Sequence, residues 1–162
     1  MKNVKLYDYQ CCSEMNPNES CIINLGYAFS LMNDPDAIRN LKVKYPNARF
    51  MVDLKITGED VLNAKLAYDA GADIVSVMGI SSDETLRDAE LIAEENCGEV
   101  LIDMTGVREI NDRLETAAID GFDYAYIPEG TPDEDMPIAR AAYGSRLYSW
   151  LTNHECRLEA AI

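Results

Sequence analysis

The chain has 162 residues, 48% of them hydrophobic and 27% charged, with 29 acidic against 14 basic residues and a formal net charge of -15. That length and apolar content suit one domain spanning 1–162 rather than two. So strong an acidic excess repels nucleic-acid phosphates and anionic membrane faces, which argues against both as partners and leaves any substrate phosphate dependent on local donors such as backbone N–H groups.

In chain order, short β-branched runs alternate with segments of helical period, a pattern that predicts successive βα units and a parallel sheet. Strands are predicted near 3–8 and 21–25. Asn33-Asp34-Pro35 then opens a helix from Pro35 to Lys44, with Asp34 as its cap and Pro35 in its first turn. A third strand near 49–54 leads to a helix from Glu59 to Ala70, whose expected buried stripe is Val61, Leu62, Leu66 and Ala70 and whose C-cap is Gly71. The strand near 73–78 follows at once. Ser81-Ser82-Asp83 is a capping cluster for a helix from Asp83 to Glu95, and a strand near 99–104, a helix from Arg108 to Ile119 and a strand near 122–127 come next. Pro128 to Asp135 reads as an acidic, turn-rich loop, and one long helix over 137–161 is expected to finish the chain. No internal repeat is present.

The five cysteines, Cys11, Cys12, Cys21, Cys97 and Cys156, are odd in number and contain no CxxC pair, which points to neither a disulfide framework nor a zinc site. No N-terminal apolar run reads as a signal sequence and no stretch approaches the ~20 apolar residues of a membrane span, so the expected location is the cytoplasm.

Met51-Val52-Asp53-Leu54-Lys55 places an acid and a base two apart at a predicted strand end, where both side chains share a face. A carboxylate beside an ammonium keeps its charge when partly desolvated, and the lysine can then stabilise or protonate a carbanion or enolate. A surface ion pair is the alternative reading of the tripeptide alone.

This stretch resembles the third-strand DxKxxD motif of the orotidine-phosphate decarboxylase superfamily. Ile22 to Gly26, Ala67 to Gly79, Ser82 to Leu86, Val100 to Val107 and Asp123 to Ile127 are similar, in order, to the second-strand, fourth-strand, following-helix, fifth-strand and sixth-strand regions of its sugar-phosphate lyases. These include 3-keto-L-gulonate 6-phosphate decarboxylase and 3-hexulose-6-phosphate synthase. The resemblance covers about residues 20–130. It implies an α/β fold of the (β/α)8 TIM-barrel type. About six strands are too few for closure, which usually needs roughly 200 to 250 residues, so a partial or shortened barrel with no seventh or eighth strand is expected. By resemblance Asp53 is the Mg²⁺-binding carboxylate, Lys55 lies near the developing enediolate, Asp103 is the fifth-strand acid and Asp8 the first-strand aspartate. Mg²⁺ is the implied cofactor, a small-molecule sugar phosphate the substrate and a homodimer the assembly.

Several positions depart from the pattern. Gly58 stands where the final acid of DxKxxD belongs, with Glu59 and Asp60 directly after it. Asn24 replaces the second-strand glutamate and offers only a neutral oxygen, which lowers the expected Mg²⁺ affinity. Pro128 aligns with the sixth-strand histidine, while the one histidine, His154, and the arginines Arg140 and Arg146 fall in the predicted terminal helix. Three functions therefore compete: a carbon–carbon lyase acting through a metal-stabilised enediolate, a degenerate relative serving as a binding or assembly module, and an orotidine 5'-phosphate decarboxylase.

Overall fold

In a computed structural model of the protein, residues 5–9, 18, 20–128, 131, 137, 141, 143 and 147–148 are described, with 5–8 and 147–148 described by backbone alone. The elements run β1 (Lys5–Asp8), β2 (Cys21–Asn24), α1 (Gly26–Met32), α2 (Pro35–Lys44), β3 (Arg49–Ile56), a 3₁₀ turn (Glu59–Val61), α3 (Leu62–Ala70), β4 (Ile74–Met78), α4 (Asp83–Glu95), β5 (Glu99–Asp103), α5 (Ile110–Ile119), β6 (Tyr124–Tyr126) and β7 (Leu147–Tyr148).

The strands form one sheet in the order β1-β2-β3-β4-β5-β6-β7. Each pairs in parallel with the next. Consecutive parallel strands joined by helical crossovers curl in one sense, and the result is a partial (β/α)8 barrel. Its larger core lies between sheet and helices and includes Phe50, Val52, Leu86, Ile102 and Leu114. A second, smaller cluster of Ile22, Met51, Ile74 and Leu101 fills the concave face, with Tyr124 and Tyr126 against it. Side chains meet across this concave face: Arg49 of β3 donates to Tyr124 of β6 at 3.1 Å and pairs with Glu99 of β5 at 2.5 Å.

At the starts of α2 and α4 the local causes are those read from the residues. Asp34 Oδ1 accepts the Asp36 N–H at 3.0 Å and Ser82 Oγ accepts the Thr85 N–H at 3.1 Å. Gly71 ends α3 in the left-handed conformation at φ 107°, which a side chain would resist.

Three expectations need correction. The sheet does not stop at six strands, because β7 pairs with β6 through Ala125↔Leu147 and Tyr126↔Tyr148. The predicted unbroken helix over 137–161 is therefore interrupted. The exposed edge of β6 offers ladder hydrogen bonds that an extended Leu-Tyr pair can take. Pro137, Ala141 and Tyr143 are helical, while Arg140, Arg146 and His154 lie outside the described residues. The stripe of α3 is also rotated: Leu62 and Leu66 are exposed, whereas Ala64, Ala67, Tyr68 and Ala70 are buried. The buried side of α3 carries the small residues Ala64, Ala67 and Ala70 together with Tyr68, and of the expected stripe Ala70 lies on it. Finally, α1 was not expected. It buries no residue and has no side-chain cap, so it leaves no periodic signal in the sequence.

Candidate active site

The site forms where β3 departs from regular pairing. Val52 pairs with Val75 and Ile56 with Val77, so four steps along β3 pass two along β4. The extra residues bulge, and within the bulge Lys55 takes φ 50°, a left-handed conformation that costs a non-glycine residue about 1 to 2 kcal/mol. Asp53 and Lys55 thus come to one side through a bulge rather than through the two-residue alternation of a straight strand. Leu54, between them, instead lines a 320 Å³ cavity together with Phe29, Leu66 and Ala67. None of the three charged site residues borders that cavity, and the chemistry is better sought on the concave face of the sheet.

Lys55 Nζ lies 2.5 Å from Asp103 Oδ2 and 3.3 Å from Asp53 Oδ2. Asp103 sits at the carboxyl end of β5 with 2% of its surface exposed, and its second oxygen accepts the Thr105 N–H at 2.8 Å. The Lys55 side chain keeps 35% of its surface open to solvent, enough to be met by a ligand. Burial pulls its pKa down, but the hydrogen bond to Asp103 and the charges of Asp53 and Asp103 outweigh that, and the ammonium is held above the ordinary lysine value.

Ser76, in the middle of β4, completes the arrangement. Its hydroxyl donates to Asp53 Oδ1 at 2.6 Å and accepts the Leu54 N–H at 3.0 Å. The sequence reading missed this residue. Its signal is a lone hydroxyl within Ile-Val-Ser-Val-Met, a strand buried at every position. Tyr126 ends β6 in register with Asp103, on the same face.

Asp8 ends β1 in register with Asn24, and its side chain lies outside the described residues. Other positions near the motif do not join the cluster. The Asp60 carboxylate does not make good the loss at Gly58, because its Oδ1 is turned to the Thr57 and Gly58 N–H groups at 3.1 and 2.9 Å. Glu59 is exposed. Pro128 follows β6 with nothing to titrate, and its carbonyl accepts from the Thr131 hydroxyl at 2.8 Å.

As a Mg²⁺ site the donor set is poor. Asp53 has one oxygen on Ser76 and the other facing an ammonium, and Asn24 turns its Oδ1 to the Gly26 N–H at 3.0 Å. Among the described residues no group of three or more His, Cys, Asp or Glu side chains is arranged to hold a metal. A hard cation that wants several anionic oxygens in octahedral geometry is not matched by these residues.

The model of the orotidine 5'-phosphate decarboxylase / HUMPS family matches residues 8–134. The 3-hexulose-6-phosphate synthase of Bacillus subtilis is 28% identical over 109 residues, covering 67% of this chain and 52% of the relative. The chain thus spans about half the length of the curated relatives it matches. Among solved structures, 3-hexulose-6-phosphate synthase from Salmonella typhimurium superposes with a TM-score of 0.68 at 25% identity, covering 85% of this chain and 68% of that one. For 3-keto-L-gulonate-6-phosphate decarboxylase from Vibrio cholerae the TM-score is 0.77 at 17% identity, over 92% of this chain and 77% of that one, a likeness of fold.

Proposed function

The chain belongs to the orotidine 5'-phosphate decarboxylase / HUMPS family, and from that premise we propose that it carries a carbon–carbon lyase site for a sugar phosphate, with Lys55 as the cation that stabilises an enediolate. The observation that carries this reading is the Lys55 ammonium seated between Asp53 and Asp103 at 3.3 and 2.5 Å. Cleaving the bond beside a carbonyl leaves its electron pair as an enediolate, and the developing negative charge needs a fixed positive partner in the transition state. Lys55 supplies that charge, and the two carboxylates keep it protonated. The partly open ammonium then has a proton to return to carbon. Names of relatives, all sugar-phosphate synthases or decarboxylases, support the substrate class.

The resemblance implies Mg²⁺ for this chemistry, but the donors around Asp53 favour a route that does not depend on a resident ion. Decarboxylation of orotidine 5'-phosphate has less support, because the carboxylate that would follow Lys55 is Gly58, and Asp60 is engaged with loop amides. The reading of a non-catalytic binding module draws on Asn24, Gly58 and Pro128. A homodimer in the cytoplasm belongs to the proposal; no helix among the described residues is long and apolar enough to cross a membrane. Light scattering at micromolar concentration tests the dimer. Turnover assays with ketose and keto-acid phosphates, with and without chelator, test the activity: product formation abolished in Lys55→Met supports the lyase, and silence with every substrate leaves the binding module.

A further inference from the structure

We infer that Ser76 is the positioning residue of this site: its hydroxyl sets the bulge that carries Lys55 and aims the Asp53 carboxylate at the lysine. The inference deepens the lyase reading and rests on it for its kinetic arm alone.

A bulge strands backbone groups. With four residues of β3 passing two of β4, the amides of Leu54 and Lys55 cannot both find ladder carbonyls. Ser76 Oγ takes them up, accepting from Leu54 N at 3.0 Å and from Lys55 N at 3.4 Å. A hydroxyl has one hydrogen and two lone pairs. Both amides can only donate, so both lone pairs are used and the hydrogen is left for Asp53 Oδ1, 2.6 Å away. The direction of every bond around this oxygen is therefore determined. One carboxylate oxygen of Asp53 is held by the serine, and the other is turned to Lys55 Nζ at 3.3 Å.

The backbone needs such a hold. Lys55 sits at φ 50° without being glycine, and an unsupported chain would relax out of that conformation. A second hydroxyl holds the same segment: Ser30 of α1 donates to the Asp53 carbonyl at 3.2 Å. Ser76 is 3% exposed, and its hydroxyl bonds to Leu54 N, Lys55 N and Asp53 Oδ1 are all made within the site. Since it acts through Asp53 and Lys55, it is a positioning residue rather than a catalytic one.

The test uses the full chain, with amide hydrogen exchange by NMR as a readout independent of turnover, in Ser76→Ala and Ser76→Thr. Ser76→Ala is expected to speed exchange at Leu54 and Lys55 roughly tenfold or more while amides of α4 keep their protection. Ser76→Thr keeps the hydroxyl and is expected to restore slow exchange. In kinetics, Ser76→Ala lowers kcat roughly 10- to 100-fold with little change in KM, and Ser76→Thr recovers most of it. Ser76→Cys, equal in shape and weaker as a donor, replaces the alanine variant if that variant does not fold. Wild-type exchange at Leu54 and Lys55 in Ser76→Ala would overturn the inference, as would a threonine variant no better than the alanine one. If the wild-type chain turns over no sugar phosphate but the exchange pattern holds, the lyase reading fails and the role of Ser76 stands.

Discussion

Lys55 and Asp103, 48 positions apart in the chain, meet at 2.5 Å between the ends of β3 and β5, across the intervening β4. Strands two apart in a sheet are separated by about 10 Å, so the contact depends on the curl of the sheet and on the length of the lysine. It joins a half-open cation to a carboxylate that is 2% exposed. Charge-assisted hydrogen bonds of this kind are among the stronger polar contacts in a protein.

Replacing Asp103 with asparagine keeps the shape and leaves an oxygen for the Thr105 N–H, while removing the charge that faces Lys55. With burial then opposed by Asp53 alone, the Lys55 pKa is expected to fall. NMR titration of the lysine side chain measures this. Turnover of a sugar phosphate by Asp103→Asn is expected to drop roughly 100-fold or more. An unchanged Lys55 titration in a folded Asp103→Asn variant would show that the pair is not coupled.

The pH dependence follows from the same raised pKa. Lys55 gains its partners on folding, so its contribution to stability is fully present below the ordinary lysine value of 10.5 and fades as pH rises through the higher folded value. The gap in urea midpoint between wild type and Lys55→Met is therefore expected to stay constant from roughly pH 6 to 9 and to close only in the strongly alkaline range. A gap that closes on acidification through neutrality would assign the effect to another group.

Mg²⁺ is expected to bind weakly, because the neutral Asn24 stands where a second anionic ligand would serve and Lys55 already faces Asp53. Calorimetric titration of wild type should show little heat. Asn24→Asp, equal in size and anionic, is expected to tighten binding roughly tenfold or more. Tight stoichiometric binding by wild type that disappears in Asp53→Ala would refute this expectation.

Much of the architecture was legible in the residues. The bounds of α2 and α4 agree with their reading because Asp34-Pro35 and Ser82-Asp83 are physical start signals. The strands up to β6 announced themselves as β-branched runs between helices. What escaped has physical causes: α1 buries nothing, β7 is a two-residue strand made by the edge it joins, and α3 buries its small residues rather than Leu62 and Leu66. Asp53 and Lys55 could be named as candidates from the third-strand motif and Asp103 from the fifth-strand likeness, but a straight-strand argument cannot foresee a bulge. The role of Ser76 exists only in that bulge, which is why its hydroxyl read as an ordinary strand residue.

One packing constraint tests the fold without reference to chemistry. A Cβ added at Gly98 would lie 2.3 Å from Cε1 of the Tyr68 ring, whose hydroxyl is anchored to the Glu99 carbonyl at 2.8 Å. The ring cannot move aside without breaking that bond, and Gly98→Ala is expected to destabilise the chain by about 2 kcal/mol in urea unfolding. A change within about 0.5 kcal/mol would mean that Tyr68 is not seated as described.

The central claim is that Lys55, held by Asp53 and Asp103, stabilises an enediolate, and its most direct test is hydrogen exchange beside the carbonyl of a ketose phosphate in D₂O, followed by ¹H NMR. Wild type in the presence of chelator is expected to wash the carbon-bound proton out stereoselectively, with Lys55→Met slowing the exchange at least roughly 100-fold. Absence of exchange with wild type, or an equal rate in Lys55→Met, would contradict the account.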